Sequence, residues 1–326
     1  MAPLQVVVRD GGTDRLWRAG RATALIALVA VFAVLVMAPE AGLAVLWGGF
    51  VPAIATSLFV TPVLWRGICP LATLNEVGNG IGRPVTPSPR TQTILGIGGL
   101  VLFHVLVPAR LLLFNHNGTA VVAAGLAIGM LAILLGARFA VRSAFCNALC
   151  PILPMERLYG QAPIMSVERG RCGACTVCTP RGCLDLSGAK NLAQIIGPSR
   201  RTHGWLFTPF GLFASALPGF ILGYFLAPAG VGGSAVRVYG MTLGGSVASL
   251  LVVQLAVRTL SLAMDRALLL LAAWSGVTYF AFTGPAIARL WHLPAPAGMA
   301  LGFAGVVFVA GWLVRAVRPL HPSAAL

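Results

Sequence analysis

Long apolar runs separated by short polar segments dominate the chain. A helix needs about 20 mostly apolar residues to cross the hydrocarbon core of a bilayer. Eight runs approach this length, near residues 22–38, 43–65, 93–114, 119–141, 205–227, 238–257, 267–288 and 298–314. The first run is not followed by a small-residue cleavage site, so we interpret it as a span and not as a signal peptide. The pattern predicts an all-α polytopic membrane protein with about eight transmembrane helices.

One polar segment is much longer than the others and divides the chain. It covers residues 142–203 and lies between the fourth and fifth apolar runs. We therefore predict a first membrane part at 1–141, a segment outside the membrane at 142–203, a second membrane part at 204–318 and a tail at 319–326. The segment is too short to bury a large core, so a bound metal group would help to stabilise it.

The charges predict how the helices are oriented. Charged residues make up only 10% of the chain and hydrophobic residues 58%, whereas a soluble domain carries about 25% charged residues. With both termini and segment 142–203 in the cytoplasm, only Arg110, Arg237 and Arg289 of the 23 basic residues fall on the other side. The positive-inside rule predicts this orientation. The net charge of +15 is spread over short loops, which favours anionic lipid as the partner and argues against nucleic acid.

Segment 142–203 contains a dense cysteine motif. Three cysteines at C-x2-C-x2-C spacing can wrap one cubane iron–sulfur cluster in a short loop, and a fourth follows closely. Structural zinc, the alternative, usually takes two separated cysteine pairs or cysteine with histidine. Because the cytoplasm keeps thiols reduced, ligation is favoured over disulfides. We predict a small ferredoxin-like loop with one 4Fe–4S cluster on Cys172, Cys175, Cys178 and Cys183.

The other three cysteines belong to a weak internal repeat. Cys69-Pro70 follows the second apolar run and Cys150-Pro151 follows the fourth, 81 residues later. The second copy reads C-x3-C-P from Cys146, and Trp65 takes the place of that leading cysteine in the first copy. Proline disfavours helix at the residue before it, so each cysteine is expected where a helix ends. They can serve as ligands or as ordinary helix-terminal residues.

Cys-Pro elements at the ends of membrane hairpins, followed by a ferredoxin-type loop, resemble the membrane-bound polyferredoxin-like 4Fe–4S proteins of the NapH/NosR type. The resemblance covers about residues 40–190. It implies a bacterial inner-membrane protein, such as a quinol-dehydrogenase-like subunit, that passes electrons between the quinone pool or a cytoplasmic donor and a partner redox enzyme. The chain differs from that pattern in its ferredoxin motif, which is present once where two copies are common. Four residues separate Cys178 from Cys183 where the family pattern has three, and no proline follows Cys183.

Two partitions of the seven cysteines stay open. Two cubane clusters held only by cysteine need eight thiolates, one more than the chain has. In the first partition, the four cysteines of the loop hold one cluster, and a three-thiol set remains. In the second, Cys183 joins that set, as the fourth cysteine does in two-cluster ferredoxins. The three-thiol set consists of Cys69, Cys146 and Cys150.

Three ionisable residues are candidates for a quinone or proton site. His104 lies near the middle of the third apolar run, where an ionisable side chain is costly and suggests a function. It could bind a quinone, or it could simply hydrogen-bond a neighbouring helix. Glu76 and Glu156 follow the Cys-Pro elements and could relay protons, although solvated interfacial carboxylates are the favoured interpretation. Five tryptophans are expected at the membrane interfaces: Trp47, Trp65, Trp205, Trp291 and Trp312.

The sequence as a whole favours an inner-membrane iron–sulfur electron carrier whose partners are quinone or a soluble redox protein and a redox enzyme. Three alternatives remain: a transporter, a metal-handling or cofactor-assembly protein that uses its thiols to capture soft metal ions, and an iron–sulfur redox sensor. The apolar runs contain few polar residues, which argues against a permease. The role of the last four runs, the donor and the acceptor are not indicated by any motif.

Overall fold

The computed structural model describes residues 4–8, 13–140, 144–169, 203–228 and 234–317. This part of the chain contains eight helices that are long and apolar enough to cross a membrane. The expected all-α, multi-pass membrane protein is confirmed. We number the helices as spans 1 to 8: Thr13–Met37, Pro39–Val60, Pro89–Phe114, Gly118–Arg138, Pro209–Leu226, Ala235–Thr259, Met264–Leu290 and Ala295–Val317.

Shorter elements join the spans. Helices Pro62–Ile68 and Pro70–Ile81 follow span 2. A π-helical turn at Phe145–Leu149 and helix Leu153–Tyr159 follow span 4. A 3-10 turn at His203–Phe207 precedes span 5. Spans 2 and 3 each include a π-helical turn, at Leu46–Phe50 and Arg110–Phe114.

Two strands add a small non-helical element that the apolar pattern did not predict. Strand β1, Leu4–Val8, pairs in parallel with strand β2, Met165–Arg169, and Leu4 lies opposite Met165. Strand β2 ends three residues before Cys172. The ribbon therefore ties the start of the chain to the segment that leads into the cysteine motif.

Side-chain caps explain where several spans begin. The hydroxyl of Ser88 accepts a hydrogen bond from the Thr91 amide, and Pro89 occupies the first turn of span 3. Asn117 caps span 4 and Thr208 caps span 5 in the same way. Such caps satisfy amides that have no partner within the helix, which matters at a membrane boundary.

The second apolar run is not one continuous helix. The prediction placed a single run at 43–65, but span 2 ends at Val60 and a new short helix begins at Pro62. Thr61 between them is extended, with φ −167° and ψ 106°. The residue before a proline is disfavoured in helical conformation, so Pro62 breaks an apolar stretch that composition alone makes uniform.

Spans 5 and 7 are the most buried of the eight spans. Span 5 has 67% of its most apolar stretch buried, against 6% for span 1, so span 5 is central and span 1 peripheral. Spans 5 and 6 approach closely at Gly219, where an added Cβ would lie 2.0 Å from the Gly245 carbonyl oxygen. Small residues of this kind allow membrane helices to pack backbone against backbone.

Two of the tryptophans expected at the interfaces are core residues instead. Trp205 is 1% exposed and Trp312 is 2% exposed. The indole of Trp312 donates a hydrogen bond to the Ala162 carbonyl and packs edge-on against Phe59. A buried tryptophan is tolerated where its N–H finds a partner, and the loop after helix Leu153–Tyr159 supplies that partner for Trp312.

Candidate functional site

Only some of the predicted site residues lie in the part of the chain that the structure describes. Cys172, Cys175, Cys178 and Cys183 lie outside the described residues, so the cluster assigned to them stays a prediction. The remaining candidates are three cysteines, two glutamates and one histidine. All six lie in the described parts, and the cysteines and glutamates surround the two Cys-Pro elements.

The two Cys-Pro elements have nearly the same backbone geometry. Cys69 ends helix Pro62–Ile68 with φ −53° and ψ 124°, and Cys150 ends the Phe145–Leu149 turn with φ −55° and ψ 122°. Both conformations are extended, as expected for a residue before proline. Pro70 starts the next helix directly, whereas Pro151 lies in a turn before helix Leu153–Tyr159. The internal repeat is therefore visible in the backbone as well as in the sequence.

The three thiols of the repeat come together in one apolar cluster. Cys146 is buried, and Cys69 and Cys150 pack against the same group of side chains, which includes Phe145 and Leu149. None of the three forms a disulfide. The structure thus brings together residues that are up to 81 positions apart in the chain.

The surroundings of Cys150 favour the protonated thiol. Part of the residue reaches the surface, but removal of its sulfur from water raises the pKa of the Cys150 thiol well above its usual value. Negative charge on Glu156 adds to the rise, and so do the neighbouring thiols of Cys146 and Cys69. A thiolate is the form that binds metals, so a metal would have to displace this proton.

The thiols do not form a finished metal site. Among the residues that the structure describes, no group of three or more histidine, cysteine, aspartate or glutamate side chains is placed to hold a metal ion. Three thiols supply soft donors suited to copper(I), zinc or an iron–sulfur group. Their present arrangement would have to tighten, or gain a further ligand, before it held one.

A buried ion pair clamps the two Cys-Pro elements together. Arg66 donates from Nη1 to Glu156 Oε2 at 2.7 Å and from Nη2 to Asn147 Oδ1 at 2.6 Å. The Arg66 and Glu156 side chains are each 4% exposed. The favoured expectation that Glu156 is a solvated interfacial carboxylate is therefore wrong. Arg66 stands three residues before Cys69 and Asn147 three before Cys150, so equivalent positions of the repeat contact each other.

Sequence reasoning identified Glu156 and missed Arg66 and Asn147. The signal that could have found them is the repeat itself, because the two residues are 81 positions apart, like the two cysteines. A basic residue and an amide at matching positions are complementary in hydrogen bonding. Nothing in the sequence indicates that Arg66 is buried, at 4% exposure, or that Asn147 is partly buried.

Glu76 occupies a more open environment than Glu156. Its carboxylate pairs with the guanidinium of Arg21 from span 1, and the two side chains are 36% and 24% exposed. Arg21 also donates from Nε to the Gly67 carbonyl at 3.0 Å. Glu76 therefore anchors the first Cys-Pro element to span 1.

His104 lies near the middle of span 3, as expected. Its Nδ1 lies 2.8 Å from the carbonyl oxygen of Leu100. The alternative of a bond to a neighbouring helix is wrong for this nitrogen, because Leu100 is one turn earlier on the same helix. His104 belongs to a different region from the cysteines, where its ring contacts Phe213 and Phe220 of span 5.

The sequence matches no known protein family, no curated protein and no solved structure. The chemistry of the site therefore has to be argued from its own residues.

Proposed function

We propose that this multi-pass membrane protein is an inner-membrane electron carrier, with one 4Fe–4S cluster on Cys172, Cys175, Cys178 and Cys183. The cluster supplies one-electron transfer when bound. Electrons would pass between the quinone pool or a cytoplasmic donor and a partner redox enzyme. The support for the ligands is their spacing, together with the cytoplasmic side predicted for the loop.

The observation that carries this proposal is the anchoring of the segment that leads into the motif. The Ile164 amide donates to the Phe59 carbonyl at 3.1 Å, and Arg315 donates from Nη1 to the Pro163 carbonyl at 2.9 Å. Trp312 holds the Ala162 carbonyl at 2.8 Å. Three consecutive residues are thus fixed to spans 2 and 8, and strand β2 follows directly. A rigid support of this kind suits a loop that must keep four thiolates in place.

These contacts also suggest a role for span 8. Tyr159 stacks on Phe59 with ring centroids 4.3 Å apart, and Trp312 meets the same ring edge-on at 5.1 Å. Spans 2 and 8 therefore brace the chain between the second Cys-Pro element and the cysteine motif. In the proposed carrier they hold the cluster at a fixed place relative to the bilayer.

The test is anaerobic purification of the full chain, followed by iron and acid-labile sulfide analysis and electron paramagnetic resonance after reduction. We expect iron and sulfide in equal amounts, equivalent to one cubane per chain. Cys175→Ser should abolish the signal and most of the bound iron, because it removes the central ligand of the triplet. Cys69→Ser is the matched control and should leave both unchanged. A chain without acid-labile sulfide, or a Cys175→Ser variant with the full signal, would refute the proposal.

The cluster of three neighbouring thiols favours a second candidate, a protein that captures a soft metal ion for delivery or cofactor assembly. Cys69, Cys146 and Cys150 share one apolar environment, and soft thiolates select copper(I) and zinc. Copper and zinc analysis on the same preparations separates the two. Metal handling would be favoured if the wild-type preparation contained copper or zinc but no acid-labile sulfide, and if that metal were lost when these three cysteines were replaced by serine.

A further inference from the structure

The hydrogen bond of His104 determines which of its ring nitrogens can serve a ligand. A carbonyl oxygen can only accept, so Nδ1, 2.8 Å from the Leu100 oxygen, carries the proton. In the neutral ring the other nitrogen, Nε2, is then an acceptor. No residue in the described parts of the chain pairs with it. His104 therefore offers one unused acceptor near the middle of the membrane.

The His104 ring packs against aromatic side chains of span 5. Ring centroids of Phe213 and Phe220 are 6.1 Å and 5.0 Å from that of His104, and both contacts are edge-to-face. Phe103 contacts the same two phenylalanines at 5.4 Å and 5.2 Å. These three phenylalanines are buried, but His104 is only half-buried. Part of the imidazole is thus accessible from outside the protein, whereas the three phenylalanine rings are not.

Other polar groups at this turn are also acceptors. Pro108 has no amide hydrogen, so it cannot make the usual helical hydrogen bond to the His104 carbonyl. The hydroxyl of Tyr239 on span 6 already donates to the Val105 carbonyl at 2.9 Å, which leaves only its lone pairs for another group. A ligand that binds here must therefore bring the hydrogen-bond donor itself.

We propose that Nε2 of His104 accepts a hydrogen bond from the hydroxyl of a lipid-soluble hydroquinone that reaches the exposed side of the imidazole. The corresponding quinone has carbonyl oxygens in place of hydroxyls and would face an acceptor with an acceptor. An unpaired polar group in an apolar site is costly. The site therefore selects the reduced form. This inference rests on the proposed function as an electron carrier and defines the form of the quinone pool that it binds.

The test measures binding and needs no turnover. The full-length chain in lipid nanodiscs is titrated anaerobically with a decyl-substituted hydroquinone, and separately with the matching quinone. We expect the hydroquinone to bind at least tenfold more tightly. His104→Phe should lose this preference by weakening hydroquinone binding at least tenfold. His104→Gln has an amide that can donate as well as accept, so it should bind the quinone more tightly than the wild type does.

Controls separate this site from packing effects and from the cluster. His116→Gln, in the turn after span 3, should bind both probes as the wild type does. Equal affinities for the two probes, or unchanged binding in both His104 variants, would overturn the inference. A chain that lacks acid-labile sulfide but still prefers the hydroquinone would refute the cluster and leave this site standing. A chain that contains the cluster but does not prefer the hydroquinone would support the cluster and refute this site.

Discussion

Removal of Arg66 should destabilise the protein far more than removal of any surface arginine. In Arg66→Met the carboxylate of Glu156 stays buried without its cation, and Asn147 loses the donor held at 2.6 Å. Both members of the pair are 4% exposed. Breaking a buried pair by removing one partner costs about 3–5 kcal/mol. Because typical proteins are stable by only about 5–15 kcal/mol, such a loss is a large part of the total.

The chain contains a matched control in its second ion pair. Arg21 and Glu76 make the same type of contact, but their side chains are 24% and 36% exposed. Exposed pairs contribute about 0–1 kcal/mol, so Arg21→Met should have a correspondingly small effect. The difference between the two substitutions isolates the effect of burial.

The measurement is reversible unfolding in mixed detergent micelles, followed by tryptophan fluorescence. It compares Arg66→Met and Arg21→Met with the double variant Arg66→Met/Glu156→Met. The double variant removes both charges and should recover most of the loss, because an apolar pair of similar size can replace a buried ion pair at little cost. If Arg66→Met costs no more than Arg21→Met, the clamp does not hold the elements together. A double variant that is no more stable than Arg66→Met would also contradict the reasoning.

Three further outcomes follow from the same geometry. Cys150 should be alkylated more slowly than an unstructured cysteine at neutral pH, because the pKa of its thiol is raised. For the same reason the rate of its alkylation should keep rising into alkaline pH. Site-resolved mass spectrometry would show this, and equal labelling at neutral pH would contradict it. Trp65→Cys should create a fourth thiol at the position equivalent to Cys146 and raise zinc binding to one ion per chain; metal content equal to that of the wild type would argue against the repeat as a site. Gly219→Leu should separate spans 5 and 6, since its Cβ would lie 2.0 Å from the Gly245 oxygen, and lower the thermal midpoint by several degrees; an unchanged midpoint would show that the helices can shift apart freely.

The number of spans could be predicted from the sequence because bilayer thickness sets a length that an apolar run must reach. The break at Thr61 was missed because the residues on both sides are equally apolar, although Pro62 marks it. The ribbon of β1 and β2 was missed because five-residue segments carry little periodic signal. Orientation, cluster and quinone chemistry remain predictions, since they depend on the membrane and on bound groups.

The candidate site was only partly predictable for a different physical reason. The count of available ligands grouped Cys69, Cys146 and Cys150 as one three-thiol set, and the structure places them in one apolar cluster. Their role as ligands stays a prediction. Burial is a property of the folded chain and not of residue type, so Glu156 was expected in solvent. Its partner Arg66 is 90 residues away, and no local pattern connects a carboxylate to a guanidinium at that separation.

The ribbon of β1 and β2 has a consequence for biogenesis. Its strands are about 160 residues apart, and spans 1 to 4 lie between them. At a translation rate of about 5–20 residues per second, β1 waits roughly 8–30 s for β2 to be synthesised. If one of those four helices failed to insert, the strands would finish on opposite faces of the bilayer and could not pair. Pairing of the two strands therefore requires an even number of membrane crossings between them, which the four spans supply.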